Sequence, residues 1–439
     1  MSKKSSSRKP RQRKPSSNTP SWRLWIGLGL FLLSIGLYVN TLGHDFVFDD
    51  ITLILQNPSV RSLDWISILY WDGYRPVRTL TYGLNYAIGG EDPFGYHLVN
   101  IVLHGLNVLL VYSLVLLLGR SNLVAGSAGL LFAVHPIQSA AVAYISGRKD
   151  LLAAFFLLLG LILYLRSRNG DHTKLAMAFA CFLMAVLSKE VAIVFPGMLL
   201  LVDALREWNR ESAGRPSLVQ AVISAAKRQP WLYGAFTLLA GLALFGAIFI
   251  NRASRMEGLW GGSISAHLGT SFKLFVHYLK MIVYPHPLIA DYTGGVFPIS
   301  TGFLEPATLF AALVALIYFG LSLWVFRRNA YLSVGLLWVL VGLAPVLQLI
   351  PFHEIAADHF LYLPLVGASL VCGVGVSVLA NKVGRKWLAA IIGLVTIASS
   401  ALVVTRNDDW KDRNTLWEAT YRSAPNSYRA NVNLGLAYY

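Results

Sequence analysis

Long apolar segments separated by short polar stretches make up most of this chain. A helix needs roughly 20 mostly apolar residues to cross a hydrocarbon core, and about eleven such segments follow one another. They cover residues 23–40, 97–119, 123–145, 150–166, 174–188, 190–205, 231–250, 304–326, 331–350, 361–380 and 387–405. The pattern predicts an all-α polytopic membrane protein with a bundle of about 11 transmembrane helices and extracytoplasmic loop helices.

Basic residues orient the predicted bundle. The first 22 residues are rich in Ser, Pro, Lys and Arg and contain no acid, which predicts a disordered cytoplasmic tail. Because successive spans cross the membrane in opposite directions, residues 41–96 are then outside, and the basic segments Arg166–Lys174 and Arg206–Arg228 are inside. We interpret Phe272–Pro285 as an interfacial or re-entrant helix, because another span there would move later basic turns outside. The chain end is then extracytoplasmic.

Three regions are predicted: the tail at 1–22, a transmembrane domain at 23–405, and an extracytoplasmic helical segment at 406–439. The last region ends in Asn431–Tyr438, which has the spacing of a first tetratricopeptide helix with Asn in the place of the usual Trp. One repeat cannot bury its own apolar face. The segment is therefore interpreted as the start of tetratricopeptide-like repeats or as a helix packed on the bundle, with a simple amphipathic helix as the alternative.

The composition excludes a soluble globular protein. Hydrophobic residues make up 55% of the chain, charged residues 13%, and the mean hydropathy is +0.56. The net charge of +15 could indicate a nucleic-acid partner, but much of it lies in the tail and the predicted cytoplasmic loops. Orientation against anionic membrane lipids explains this charge, so no nucleic-acid partner is predicted.

A pair of carboxylates, Asp49 and Asp50, directly follows the first predicted span. Acids are scarce, 22 Asp and Glu against 37 Lys and Arg, so their concentration beside a membrane boundary favours chemistry on a lipid-borne substrate. A solvated or helix-capping pair is the alternative. The predicted topology places further polar residues on the same side, in the loops or at the ends of spans. They are Arg75, His97, Asn100, His135, Arg148, Lys149, Lys189, Glu190, Glu354, Asp358, His359 and Tyr362.

Four polar residues of the second predicted span share one helix face: His97, Asn100, His104 and Asn107. A polar stripe within a span faces the protein interior or a water-filled cavity, because lipid exposure of such groups is costly. For each residue taken alone, hydrogen bonds that join helices and a functional role are both open. His104 lies deep in the span, which favours a satisfied core histidine over a ligand.

The order of several motifs resembles a known family. The motifs are Phe48-Asp49-Asp50 with Asn57-Pro58, Tyr74-Arg75-Pro76, Gly95-Tyr96-His97-Leu98-Val99-Asn100 with His104, Phe132-Ala133-Val134-His135-Pro136, Gly147-Arg148-Lys149-Asp150, Lys189-Glu190 and Phe360-Leu361-Tyr362-Leu363-Pro364. Together they resemble the GT-C superfamily of glycosyltransferases that use polyprenyl-phosphate sugars. Within it, the chain is similar to bacterial relatives of the transmembrane and tetratricopeptide-repeat-containing O-mannosyltransferases. It departs from the family pattern at Ala140, where an acid is usual, and at His359, where Arg is common.

The resemblance implies transfer of a sugar, with mannose as one candidate, from a polyprenyl-phosphate carrier to a hydroxyl of an extracytoplasmic protein, with inversion. It implies Asp49 or Asp50 as the catalytic base, with the choice between them open and a slight preference for Asp50. Groups that bind the donor phosphate or sugar are then Arg75, His97, His135, Arg148, Lys149, Lys189 and Glu190. Contacts to acceptor or donor are assigned to Asn100, Glu354, Asp358, His359 and Tyr362.

Further consequences concern cofactors, location and rival activities. Phosphate is a fair leaving group, so no cofactor is required, while a divalent metal stays possible. The resemblance implies a multi-pass protein of the bacterial inner membrane, with a cytoplasmic N-terminus and an extracytoplasmic active site and C-terminus. Transfer to a lipid or glycan is one alternative, and a transporter or flippase of lipid-linked sugars is another. Ionisable residues gathered on one side and no matching halves favour the enzyme.

Overall fold

The computed structural model describes residues 21–71, 75–167, 171–210, 214–249 and 258–438. Most of the predicted tail, residues 1–20, lies outside this description, as does Tyr74 of the Tyr-Arg-Pro motif. Within the described ranges the structure is helical and contains no β-strand, which agrees with the predicted all-α class.

The helices are numbered in chain order. The first ten are α1 (Ser21–Gly36), α2 (Pro58–Ser62), α3 (Trp65–Trp71), α4 (Pro76–Gly89), α5 (Pro93–Leu117), α6 (Asn122–Val134), α7 (Ser139–Val142), α8 (Arg148–Arg166), α9 (His172–Ser188) and α10 (Phe195–Arg210). The others are α11 (Leu218–Arg228), α12 (Pro230–Phe249), α13 (Ile264–Val283), α14 (Pro306–Phe326), α15 (Ala330–Leu343), α16 (Pro364–Ala380), α17 (Arg385–Asp408), α18 (Arg413–Ser423) and α19 (Tyr428–Tyr438).

A helix overlies each of the eleven predicted spans, but fewer meet the length and hydropathy of a membrane crossing. Four apolar helical stretches do so in the described part of the chain: Trp22–Gly43, Pro93–Leu117, Pro306–Phe326 and Arg385–Asp408. The pair Asn122–Val134 and Pro136–Val142, bent by 51° where Pro136 interrupts the helix, is either a broken fifth span or a re-entrant segment. The protein is thus a multi-pass membrane protein, and the predicted count of about eleven spans is not confirmed.

Several predicted spans coincide with helices that do not meet the length or hydropathy of a complete membrane crossing. Helix α9 has 17 residues and α15 has 14, and both are too short to qualify as complete spans. Helix α8 begins with Arg148, Lys149 and Asp150, and α10 ends in a charged turn. The predicted re-entrant helix at Phe272–Pro285 overlaps α13, which begins eight residues earlier, at Ile264, and ends at Val283.

Packing around α5 and α8 positions the polar loops. Helix α5 contacts α1, α6 and α8, while α8 also packs along α9. Asp92 caps the start of α5 by accepting a hydrogen bond from the Phe94 N–H at 3.0 Å, and Pro93 occupies the first helical position. The loops after α1 and before α16 both reach the start of α8, where Asp50 bonds to Ser146 and Glu354 lies near Lys149.

The chain end packs on the loop that carries the acid pair. Helices α18 and α19 contact each other, and Leu416 and Trp410 are buried with Val47 and Tyr144 in a small apolar core. The predicted helix at the chain end lies within α19, where the Leu436 side chain is 64% exposed. Nothing here confirms a tetratricopeptide repeat, so this identification stays a prediction.

Candidate active site

Asp50 is a fully buried carboxylate with a hydrogen bond on each oxygen. Its Oδ1 accepts from the Ser146 N–H at 2.8 Å and from the Ser146 Oγ at 2.5 Å, and its Oδ2 accepts from the Val47 N–H at 3.1 Å. Burial raises the pKa of the Asp50 carboxyl to about 7, although the hydrogen bonds from Ser146 and Val47 act in the opposite direction. Asp50 therefore joins the loop after α1, which carries Asp49 and Asp50 and which we call the acid loop, to the residues before α8.

Asp49 has different surroundings although it is the adjacent residue. It is partly exposed, and its N–H donates to the Tyr144 hydroxyl at 3.3 Å. Its carboxylate forms no hydrogen bond or ion pair with any residue that the structure describes. Phe48, directly before it, has a positive φ of 54° and packs its ring against Trp417 at 5.5 Å. The carboxylate is therefore available to a substrate.

Lys149 is a buried cation in the first turn of α8, and within the described ranges no carboxylate pairs with it. The side chain is 6% exposed, and its electrostatic neighbours are Arg75, Lys189, Glu354 and Asp49. We call Asp49, Lys149, Lys189 and Glu354 the acid–lysine cluster. An ammonium held in protein without a counter-ion is suited to an incoming anion, which compensates for the cost of burying its charge.

The other two cations of this area have carboxylate partners. Lys189 Nζ lies 2.6 Å from Asp150 Oδ1, and both side chains are nearly inaccessible. Arg75 forms a two-armed pair with Glu190, with distances of 2.6 Å and 3.0 Å. Burial opposes ionisation of Glu190, but the charge and hydrogen bonds of Arg75 prevail and lower its pKa to about 2.

Arg148 is held by neutral acceptors and is fully buried. Its N–H groups donate to Asn100 Oδ1 at 2.9 Å, to Asn85 Oδ1 at 2.6 Å, and to the Tyr96 carbonyl at 2.8 Å. Asn100 in turn donates to three carbonyls between Val142 and Ile145. We call Arg148, Asn100, Asn85 and the Tyr96 carbonyl the Arg148 network, which joins α4, α5 and α8. These contacts use the guanidinium to hold helices together.

The predicted histidines contact backbone groups. His97 Nε2 lies 3.2 Å from the His44 carbonyl, and His135 Nε2 lies 2.9 Å from the Ile282 carbonyl. Deeper in the bundle, Tyr362 bonds through its hydroxyl to His104 Nδ1 at 2.9 Å and to Asn107 Nδ2 at 3.1 Å. None of these contacts joins His97, His135 or Tyr362 to the acid–lysine cluster.

The loop before α16 contributes residues of two kinds. Asp358 accepts from the Ile289 N–H at 3.1 Å and from the Tyr292 hydroxyl at 2.7 Å, so it fixes the chain that follows α13. Glu354 instead lies beside Lys149 and Lys189, and burial raises its pKa against the influence of these cations. His359 Nε2 lies 4.0 Å from Glu354 Oε2. Burial and nearby cations lower the pKa of His359 well below its usual range, so its imidazole is neutral.

Two buried polar atoms of this area lack hydrogen-bond partners among the described residues: His359 Nε2 and Asp150 Oδ2. Buried polar groups are almost always hydrogen-bonded, so such atoms indicate a place for a ligand or water. Both belong to residues that contact or adjoin the acid–lysine cluster. For metal binding, the described residues include no suitably placed group of three or more His, Cys, Asp or Glu.

The sequence did not reveal the residues that hold the two acids in place. Ser146 and Tyr144 bind the acid loop from 96 and 95 residues away, and no local pattern marks such a contact. Gly147 has a steric role, because a Cβ there would lie 2.3 Å from the Ala141 carbonyl oxygen. Trp410 stacks on Tyr144 with ring centroids 5.0 Å apart. The Trp-rich chain end was a signal that could have indicated this packing.

Comparison with known proteins gives relatives of one kind. No family model matches. The chain is 26% identical to protein O-mannosyl-transferase Tmtc3 of Drosophila melanogaster over 93% of its own length and 52% of the relative. It is 25% identical to protein O-mannosyl-transferase TMTC4 of Homo sapiens over 96% of its length and 64% of the relative. A 37% identical match to Drosophila melanogaster Tmtc1 covers 47% of this chain and 26% of that protein.

The predicted resemblance to O-mannosyltransferases is confirmed by these homologues, whereas nothing in them identifies the chain as bacterial. The chain spans about half to two thirds of the length of these full-length relatives. Among solved structures, an Archaeoglobus fulgidus oligosaccharyltransferase tethered to an acceptor peptide matches 91% of the chain at 12% identity, with a TM-score of 0.49. ArnT from Cupriavidus metallidurans bound to undecaprenyl phosphate matches 91% at 14% identity, with a TM-score of 0.44.

Proposed function

We propose, from its homology to protein O-mannosyl-transferases, that this chain transfers a sugar from a polyprenyl-phosphate carrier to a hydroxyl of a protein on the extracytoplasmic face of the membrane. The observation that carries the proposal is the acid–lysine cluster. It brings a carboxylate without a partner, Asp49, into the electrostatic neighbourhood of a buried ammonium without a counter-ion, Lys149. A base for the acceptor and a cation for the leaving phosphate are the two groups that this reaction needs.

The proposed reaction is a single displacement. The acceptor hydroxyl oxygen attacks the anomeric carbon of the sugar while Asp49 takes the hydroxyl proton. The bond between the anomeric carbon and the phosphate oxygen breaks, and its electron pair leaves with the polyprenyl phosphate. Lys149 stabilises the charge that develops on this phosphate. One displacement through an oxocarbenium-like state inverts the anomeric configuration.

In this proposal the two neighbouring acids have separate roles. Both oxygens of Asp50 already accept hydrogen bonds, and the residue is inaccessible, so an acceptor hydroxyl cannot reach it. Asp50 positions Asp49 by fixing the acid loop. Arg75 and Lys189 contribute positive charge from within their ion pairs, while Glu354 and His359 face the donor or acceptor.

The test compares Asp49→Asn, Asp50→Asn and, as a matched control, Asp45→Asn, whose carboxylate belongs to the same loop and is exposed. The full-length protein would be assayed with polyprenyl-phosphate mannose and candidate protein acceptors. Loss of a general base lowers turnover by about 10²–10⁴-fold, and we expect this for Asp49→Asn without a change in thermal unfolding. Asp45→Asn should retain activity.

Wild-type turnover by Asp49→Asn would contradict the assigned base. Modification of a lipid or glycan in place of protein would redirect the proposal to that acceptor. Movement of labelled lipid-linked sugar across liposomes without modification of any acceptor would replace the enzyme with a flippase.

A further inference from the structure

A second group of charged residues lies at the opposite end of α8 from the acid–lysine cluster. Lys149 and Tyr164 are separated by most of this helix, which at 1.5 Å per residue corresponds to roughly 22 Å. At the Tyr164 end, α8, α10 and α11 enclose a cavity of about 360 Å³. Three arginines line it, Arg206, Arg210 and Arg228, together with Asp203 and Glu207. We call this space the arginine cavity.

The two carboxylates of the arginine cavity are buried and fully used. Asp203 accepts hydrogen bonds from the hydroxyls of Tyr164 and Tyr233 and pairs with Arg206 at 3.1 Å. Glu207 accepts from Arg210 at 2.6 Å through one oxygen and from Arg228 at 2.8 Å through the other. The acids therefore hold the three guanidinium groups around the cavity and have little capacity for a cation.

The guanidinium groups retain donors. Each arginine has five N–H donors. In the described structure, Arg210 and Arg228 each donate only to Glu207, and their side chains are 55% and 56% exposed. Three arginines against two carboxylates also leave one positive charge in excess. Several N–H groups at fixed positions around a cavity of net positive charge match the oxygens of a phosphate group.

The surroundings of the cavity favour a phosphate carried by a lipid. Helix α11 is amphipathic and ends in Lys227 and Arg228, while its Val219 and Ile223 side chains are exposed. Trp231, at the start of α12, is also exposed. Exposed apolar side chains on α11, which lines the basic cavity, and on the following helix suit acyl chains next to a headgroup at a membrane surface.

We propose that the arginine cavity, at the end of α8 opposite the acid–lysine cluster, binds the phosphate group of an anionic phospholipid. Arg210 and Arg228 contact the phosphate oxygens, and Glu207 keeps both guanidinium groups in position. The bound headgroup joins α10 to α11. A free phosphate ion shares the recognised chemistry, so the source of the phosphate is a separate arm of the test.

The experiment measures thermal unfolding and bound lipid for the full-length protein in detergent. The probes are phosphatidylglycerol, phosphatidylcholine and inorganic phosphate. We expect phosphatidylglycerol to raise the unfolding temperature by about 2 °C or more in a saturable way, and phosphatidylcholine to leave it unchanged. Native mass spectrometry should show phosphatidylglycerol retained by the wild-type protein.

The variant Arg210→Gln with Arg228→Gln should lose both effects. Because it leaves Glu207 without its arginines, a triple variant that adds Glu207→Gln checks for simple misfolding. The matched control removes two exposed cations elsewhere, Lys382→Gln with Lys386→Gln, and should respond like the wild type.

Each result has a defined meaning. Stabilisation by inorganic phosphate alone, lost in the arginine variants, supports the phosphate site but assigns it to a free ion. The proposal is overturned if the folded triple variant retains as much phosphatidylglycerol as the wild type. It is also overturned if the lysine control loses phosphatidylglycerol to the same extent as the arginine variants. Equal stabilisation by phosphatidylcholine also overturns it. All of these readouts are independent of sugar transfer, so they stand apart from the proposed activity.

Discussion

Two pairs of adjacent residues of the same charge, Asp49 with Asp50 and Lys149 with Arg148, lie in opposite environments. Asp49 and Lys149 belong to the acid–lysine cluster, whereas Arg148 belongs to the Arg148 network and Asp50 is bound by Ser146 and Val47. Asp49 lacks a partner in the described structure while Asp50 uses both oxygens. Lys149 forms no ion pair with a described carboxylate, while Arg148 donates to residues on α4 and α5. The difference separates two kinds of charged residue in this area. Asp50 and Arg148 have hydrogen-bond partners and hold the fold, whereas Asp49 and Lys149 are the groups that act on the substrate in the proposed reaction.

The largest effect is expected for Arg148→Gln, which tests whether Arg148 holds the fold. The change leaves buried amide and carbonyl oxygens of the Arg148 network without donors, and we expect the free energy of unfolding to fall by about 3–5 kcal/mol. Chemical denaturation in detergent provides the measurement. The control Arg61→Gln removes an exposed ion pair with Glu91 and should cost about 1 kcal/mol or less. Equal effects of the two changes would contradict a structural role for Arg148.

Lys149→Met tests whether Lys149, which forms no ion pair among the described residues, acts on the substrate. Removal of a cation that stabilises a leaving phosphate should lower kcat/KM for the lipid-linked donor by about 10²–10³-fold. The free energy of unfolding should stay constant or increase, because a buried charge without a partner is removed. Kinetics with a varied donor and thermal unfolding would be measured together. Lys411→Gln, at an exposed position, is the control. A destabilised Lys149→Met with normal kinetics would place Lys149 among the structural charges.

Asp50→Asn tests the structural role of Asp50 through the pH dependence of the free energy of unfolding. The amide would place an N–H₂ group opposite one of the existing donors, which costs about 1–3 kcal/mol at pH 5. The folded protein raises the pKa of Asp50 to about 7 from an unfolded value near 3.8. Its contribution to stability is therefore complete below pH 4 and is lost as the pH rises to 7. The difference between wild type and Asp50→Asn should shrink over this range in unfolding experiments. A constant difference would mean that Asp50 does not titrate there.

Hydropathy and charge along the chain predicted the helical, multi-pass class, and motif order predicted the kinship to O-mannosyltransferases. These properties are local, because each depends on residues that are close in the chain. The predicted count of about eleven spans is not confirmed, since the lengths of α9 and α15, which fall short of a complete span, cannot be read from hydropathy alone.

The sequence alone determined which residues are candidates for the proposed chemistry, and the tertiary structure decided which partners each of them finds. Asp49 and Asp50 are neighbours of the same type in the chain, and folding distinguishes them because Ser146, 96 residues away, donates hydrogen bonds to the Asp50 carboxylate. Arg75 likewise finds Glu190 115 residues later, while Lys149 finds no carboxylate among the described residues. The availability of a charge depends on the partners that folding brings to it, and neither composition nor spacing encodes those partners locally.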